Sequence, residues 1–166
     1  MTQILSFLLV VSSAFMMWKT IGLATNTATP IVVVLSESMS PAFERGDILF
    51  LSMANRPLEH GDIVVFELKG KDIPIVHRLM RIHQKSNSTT LTILTKGDNN
   101  SVDDRVLYRE AVPSKNWLKR KEVTGRVSGY LPYLGYITIL MNENPKVKYL
   151  VIAIIAFFAI LKREQE

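Results

Sequence analysis

The chain of 166 residues contains no cysteine, which excludes a disulfide framework and any thiolate-held metal. The compartment stays open, because a domain with enough core does not need cross-links. Histidine is scarce too, with three in all. His60, His77 and His83 fall neither at His-x-x-x-His spacing nor beside a carboxylate cluster, so the pattern supports no metal site and implies no cofactor. The basic excess is small, a formal net charge of +5 from 20 basic and 15 acidic residues. There is no long Lys/Arg run and no aromatic interleaving. Such a balance suits solvated faces or an anionic membrane surface and argues against nucleic acid as a partner. Residues 1–3 carry no Lys or Arg, so the positive start of a cleavable secretory leader is missing.

What is abundant is apolar character, 48% of the residues, concentrated at the two ends. Ile4 to Ala24 is almost continuously apolar. About 20 residues cross a bilayer core as a helix, so the expectation is a retained anchor over residues 1–24. Trp18 and Lys19 suit an interface. At the other end, Tyr149 to Leu161 is apolar between Lys146 and Lys148 before it and Lys162 and Arg163 after it. As a helix this run is about 20 Å long, against a hydrocarbon core of about 30 Å. It could be re-entrant, pack on a partner helix, span a thinned bilayer, or lie on the domain as a tail. Its lack of a polar face favours lipid or a place between helices. Residues 146–166 are therefore expected to form a short hydrophobic helix with a basic tail.

Residues 25–145 read as one mainly β, antiparallel domain. It opens with a polar linker, Thr25 to Pro30. Strand-like runs follow at Ile31–Leu35, Ile48–Leu51, Ile63–Phe66, Ile73–Ile82, Leu91–Leu94, Glu122–Val127 and Ile137–Met141. Between them lie Gly-Asp and Asn/Pro turns, a polar tip at 85–90, a loop at 97–104 and a turn at 129–135. Residues 105–121 give no clear pattern.

The first strand empties into hydroxyls at Ser36, Ser38 and Ser40 and ends at Pro41. Strand alternation would put Ser36 and Ser38 on one face and Glu37 on the other. A serine at the rim of a rigid strand can be a nucleophile; a Ser-rich strand end is equally an ordinary turn. His60 and His83 sit at polar surface positions. His77 interrupts the apolar Ile75-Val76 run, which is more often structural than catalytic. Asp98 and Asp104 bracket a loop whose Gly, Asp and Asn can simply turn the chain. Yet a serine, a strand histidine and a loop carboxylate are the three parts of a proton relay: a nucleophile, its base, and a partner for the base's other nitrogen.

Four segments in order carry a resemblance: Leu35-Ser-Glu-Ser-Met-Ser-Pro-Ala-Phe-Glu-Arg-Gly-Asp-Ile-Leu49, Ile73-Pro-Ile-Val-His-Arg78, Leu94-Thr-Lys-Gly-Asp-Asn-Asn-Ser-Val-Asp-Asp104 and Gly125-Arg-Val-Ser-Gly-Tyr-Leu-Pro-Tyr-Leu-Gly-Tyr136. Together they resemble the catalytic subunit of the eukaryotic endoplasmic-reticulum signal peptidase, a signal peptidase I family enzyme of Ser-His-Asp type, over essentially the whole chain. The resemblance implies Ser38 as nucleophile, His77 as general base where bacterial relatives carry a lysine, and Asp104 completing the relay. It also implies Asp98 as a supporting acid and Ser36 as an oxyanion donor with the Ser38 amide. The fold it implies is an antiparallel β catalytic domain. The activity is removal of signal peptides with small residues at the −1 and −3 positions. The substrate would add as a strand along Ile31, Val32, Val33 and Val34. The implied partners are precursor proteins, membrane lipid and non-catalytic membrane subunits of one complex. The implied topology is single-pass type II in the endoplasmic-reticulum membrane with a luminal catalytic domain. Asn87-Ser-Thr89 would then be a usable glycosylation sequon; Asn99-Asn-Ser101 lies in the active-site loop.

Glu37 departs from the family, where glycine is usual. An anion aimed at the developing oxyanion would oppose the reaction, but alternation turns it away. Two other readings stay open at this point: a membrane-anchored β module that binds or scaffolds without catalysis, and a self-cleaving or regulatory Ser-Lys protease of related fold. The second sits poorly with His77 at the base position.

Overall fold

The structure is a computed structural model that describes residues 2–53, 56–84 and 91–163. The Asn87 sequon lies outside the described residues.

Helix α1 spans Thr2–Thr25, about 36 Å at 1.5 Å per residue. Its Gln3–Thr25 segment, with mean hydropathy 1.8 and none of it buried against the domain, is long and apolar enough to cross a membrane. Among the described residues it is the one helix that meets this test. A helix apolar all round with no protein cover matches lipid as its solvent. Its exit is fastened down. The Met53 amide donates to Thr25 O at 2.8 Å, Asn26 Nδ2 to Met53 O at 3.3 Å, and Thr27 Oγ1 to Thr124 O at 2.8 Å. The segment expected as a polar linker is therefore a stitched junction, with the Asn26 side-chain amide and the Thr27 hydroxyl donating to β-domain carbonyls.

The β domain is built on β1 (Ile31–Val33), β2 (Ile48–Ser52), β3 (Ile63–Phe66), β4 (Ile75–Gln84), β5 (Leu91–Lys96), β6 (Leu118–Lys119) and β7 (Val123–Leu131). They form one antiparallel sheet in the order β1-β2-β7-β3-β4-β5-β6. Register breaks at Phe50/Leu51, Val65/Phe66 and Leu79/Arg81 bend and twist the sheet, and it curls. The non-alternating run Ile-Val-Val-Phe of β3 is explained by burial on both faces. Val64 and Phe66 join one apolar cluster with Leu79, Ile93 and Tyr108. Val65 joins another with Val34, Met39, Phe43, Leu49 and Leu51. The second cluster lies directly beneath the serine-rich turn.

The sequence expectations need correcting in several places. The first strand stops at Val33, and Ser36 to Ser40 form bends and turns. β7 runs on through Gly129, Tyr130 and Leu131, which pair with Phe50, Leu49 and Ile48, so the expected turn starts later. Residues 105–121 contain α2 (Arg105–Ala111) and β6. Ile137–Met141 is not a strand: it lies inside α3 (Tyr136–Glu143). Its β-branched residues suggest a strand, but tertiary packing favours a helix. The Tyr136 ring packs over Gly46, where no side chain would fit. Ile139 is buried while Ile137 and Leu140 stay exposed, and Arg45 pairs with Glu143 at the far end. Finally, α4 covers Pro145–Arg163, 19 residues, or about 28 Å. It is longer than its apolar stretch because its first turn takes in Lys146 and Lys148.

Candidate active site

β1 and β4 are separated by β2, β7 and β3, about 19 Å in a flat sheet at about 4.8 Å per strand. Curling of the sheet, and the turn after β1, close that distance. His77 on β4 stands opposite Val64 of β3, its ring edge-on to Phe66 at 6.2 Å between centroids, and is 3% exposed. Its Nε2 lies 3.1 Å from Ser38 Oγ. Its Nδ1 lies 2.6 Å from Asp104 Oδ2. An ionised carboxylate only accepts, so Nδ1–H donates to Asp104 and leaves Nε2 as the acceptor for the Ser38 hydroxyl. Ser38, His77 and Asp104 thus form one continuous hydrogen-bonded line.

Asp104 occupies the N-cap position of α2, but its side chain caps nothing there. Asp103 takes part of that work, its Oδ1 accepting the Arg105 amide at 3.1 Å. Asp104 turns inward instead and is 1% exposed. The two adjacent acids therefore have separate tasks, and the sequence alone did not show which of them turns in.

Asp98 does not hydrogen-bond His77. It makes a bidentate pair with Arg78, Nε to Oδ1 at 2.8 Å and Nη2 to Oδ2 at 2.6 Å, while Arg78 Nη1 donates to Gly61 O at 3.0 Å. The Arg78 hydrogen bond holds the Asp98 carboxyl below its ordinary range. Through this pair Asp98 anchors the 97–100 loop. That loop grips the serine turn from behind: the Asn99 amide donates to Ser38 O at 2.9 Å and Asn99 Nδ2 to Glu37 O at 3.2 Å. Gly97 lies so close that a Cβ there would sit 2.7 Å from Ser38 O. Arg78 carried no sequence signal of its own beyond its place next to His77.

Ser36 Oγ is 3.2 Å from Ser38 Oγ. If Ser38 gives its one proton to His77, the Ser36 hydroxyl must donate to Ser38 Oγ. The expected proximity is present, but the turn creates it and strand alternation does not. Glu37 is exposed, and its backbone φ is not positive, so the position does not require glycine. Ser40 lies in the exit turn, its amide donating to Glu37 O at 3.1 Å.

In front of this line opens a cavity of about 880 Å³. One wall is Val32, Val33, Val34 and Leu35; the other is Ile73 to Val76; Thr138, Ile139 and Asn142 of α3 close one side. β1 is a sheet edge, and among the described residues no strand pairs with its outer side. His60 and His83 lie apart at the surface, His60 Nδ1 3.0 Å from Met80 O and His83 stacked on Trp117 at 5.5 Å.

A curled antiparallel sheet carrying a Ser-His-Asp line at the mouth of an apolar cleft defines a serine peptidase scaffold, and residues 8–113 match the family described as Peptidase S24-like. Residues 136–161, α3 with most of α4, match the signal peptidase C-terminal short helix. Among curated relatives, the signal peptidase complex catalytic subunit of Rattus norvegicus is 52% identical over 163 residues, covering 98% of this chain and 83% of the relative. That of Leptosphaeria maculans is 50% identical over 163 residues, covering 98% and 92%, and that of Dictyostelium discoideum 46% over 162 residues, covering 98% and 88%. The chain belongs to the family of signal peptidase complex catalytic subunits.

Proposed function

We propose that this chain cleaves signal peptides from precursor proteins, with Ser38 as nucleophile, His77 as general base and Asp104 as the partner of His77. The observation that carries the assignment is the continuous Ser38–His77–Asp104 hydrogen-bond line at 3.1 and 2.6 Å. A binding or scaffold module has no use for a buried imidazole–carboxylate pair aimed at a serine on a cleft.

The chemistry follows from the positions of the protons. The precursor lies extended along Ile31–Val34, its backbone pairing with the free edge of β1. Ser38 Oγ attacks the carbonyl carbon as its proton passes to His77 Nε2. The imidazolium that results is stabilised by Asp104 on its other nitrogen. The oxyanion accepts from the Ser36 hydroxyl and the Ser38 amide; among the described residues nothing else accepts from that amide. His77 then protonates the departing amine of the mature protein, leaving the signal peptide esterified to Ser38. Water, deprotonated by His77, releases it. Asp98 serves through Arg78 and the Asn99 grip, holding the turn in place.

The stitched exit of α1 fixes this site at a set height above the bilayer, where the end of a signal sequence emerges. We place the protein in the endoplasmic-reticulum membrane, single-pass type II with the β domain luminal, beside non-catalytic subunits and in contact with lipid. The apolar part of α4, about 20 Å, is short against a core of about 30 Å; seated in lipid it would thin the bilayer locally and favour short apolar substrates. The test of catalysis is cleavage of a preprotein by the purified complex carrying wild type, Ser38→Ala or His77→Ala. Both variants should be inactive. Cleavage by Ser38→Ala would refute the nucleophile assignment.

A further inference from the structure

The hydrogen-bond chain continues behind Asp104. Thr95 on β5 and Tyr108 on α2 are both fully buried. Thr95 Oγ1 lies 2.5 Å from Asp104 Oδ2 and 2.7 Å from Tyr108 Oη. The Thr95 amide lies 3.1 Å from the same Tyr108 oxygen. Proton counting fixes every direction. Asp104, ionised, only accepts, so the Thr95 hydroxyl donates to it. Thr95 Oγ1 must then accept from the Tyr108 hydroxyl, and the Tyr108 oxygen accepts from the Thr95 amide. No hydroxyl proton is left over and no alternative direction is open. The dipoles run head to tail toward the carboxylate, an arrangement in which each link strengthens the next. Burial pushes the Tyr108 phenol up to about 12, so it remains a donor throughout the working pH range.

Packing alone would need neither hydroxyl. The Tyr108 ring meets Phe66 edge-on at 6.1 Å, a contact phenylalanine would keep, and valine has the shape of threonine. We propose that Thr95 and Tyr108 are positioning residues that hold the Asp104 carboxylate aimed at His77. This rests on the Ser38–His77–Asp104 relay proposed above and adds its rear half. The Asp104 Oδ2 atom receives two donors, His77 Nδ1–H and Thr95 Oγ1–H. With the second removed, the carboxylate is freer to turn and protons compete better for the relay, so the active form is lost at a higher pH. The other charges around the relay are Asp98 with Arg78 and Lys96 near His77, Asp103 and Arg105 beside Asp104, and the Lys115 ammonium 5.9 Å from the Tyr108 ring centre. The variants below leave all of these in place.

The experiment compares wild type, Thr95→Val, Thr95→Ser, Tyr108→Phe and Ser38→Ala in the purified complex, measuring preprotein cleavage across pH together with thermal unfolding. Thr95→Val should lower kcat about tenfold with KM within about twofold, and move the acid limb of kcat/KM upward by about half a pH unit or more. Thr95→Ser should restore both. Tyr108→Phe should move the limb the same way by less. A Thr95→Val enzyme with the wild-type limb and kcat, or a loss that serine does not rescue, overturns the proposal. If Thr95→Val does not fold, an unchanged limb in Tyr108→Phe overturns it. Cleavage by Ser38→Ala would instead overturn the relay itself, whatever the Thr95 variants do.

Discussion

Gly97→Ala probes whether the 97–100 loop sets the position of the nucleophile. The new Cβ would lie 2.7 Å from Ser38 O and 2.7 Å from Asn100 Nδ2. The Asn100 amide can rotate aside; the Ser38 carbonyl belongs to the backbone and cannot. Ordinary contact begins at 3.4 Å, so the loop and the serine turn must part by about 0.7 Å. That movement also stretches the Asn99 amide bond to Ser38 O, now 2.9 Å. Misplacing a reacting atom by about 1 Å costs about 10²-fold in rate, so kcat should fall about 10- to 100-fold, or about 1.4–2.7 kcal/mol. KM should change much less, because the β1 edge is untouched. Overpacking should also cost about 1–3 kcal/mol of stability. Gly61→Ala is the control: its φ of +88° strains alanine, but nothing lies within 4 Å of the new Cβ. It should lose about 1 kcal/mol of stability and keep kcat. The assay is preprotein cleavage by the complex at saturating substrate, with thermal unfolding in parallel. If Gly97→Ala keeps wild-type kcat, or loses no more than Gly61→Ala, the loop does not position Ser38.

Three further outcomes are expected. Glu37→Gly should leave cleavage equal or faster, because the Glu37 side chain is exposed and its contacts are made by its carbonyl; a marked loss of kcat/KM would show that the side chain meets the substrate. Asp98→Asn should reveal the Arg78 pair through pH. The Asp98 carboxyl lies below its ordinary value of 3.8 through Arg78, so the pair stabilises the fold above that value and the gain is lost as pH falls through the lowered one. The variant should be less stable by about 1 kcal/mol near pH 7, a small figure because both side chains are partly exposed, and the difference should shrink at an acid pH below the ordinary value. An equal difference in chemical-denaturation stability at both pH values would rule the charge pair out as its cause. Lengthening the apolar part of α4 by about six leucines, about 9 Å, should weaken the preference for short hydrophobic segments, as read from cleavage of paired short and long substrates; unchanged discrimination would remove α4 from the account.

Much of this was legible in the sequence because local and tertiary preferences agree. Ile63–Phe66 reads as a strand and is one, bounded by a Gly-Asp turn and buried on both faces. Ile4–Ala24 reads as an anchor because no polar residue creates a second face. Ser38, His77 and Asp104 could be named by resemblance, and the turn and the curl bring them together. The misreadings occur where long-range contacts overrule local signals. Tyr136–Glu143 has strand-forming residues, yet the Gly46 surface and the buried Ile139 fix it as a helix. Ser36 and Ser38 are neighbours for a reason that alternation does not supply. The Asp98–Arg78 pair had no local signal, because nothing in the sequence shows that the two side chains face each other. Thr95 and Tyr108 gave no signal: one is a threonine in an apolar strand, the other a tyrosine in a segment without a pattern, and only the fold puts both hydroxyls behind Asp104.

The central claim is that Ser38 attacks the precursor with His77 taking its proton. It is tested most directly by trapping the acyl-enzyme: the complex is quenched in acid during turnover, digested, and the peptide carrying residues 31–45 is mapped by mass spectrometry. The account predicts the signal-peptide carboxyl group esterified to Ser38, with no adduct on Ser36 or Ser40 and none in His77→Ala. An adduct on another residue, or turnover with Ser38 replaced by alanine, would contradict it.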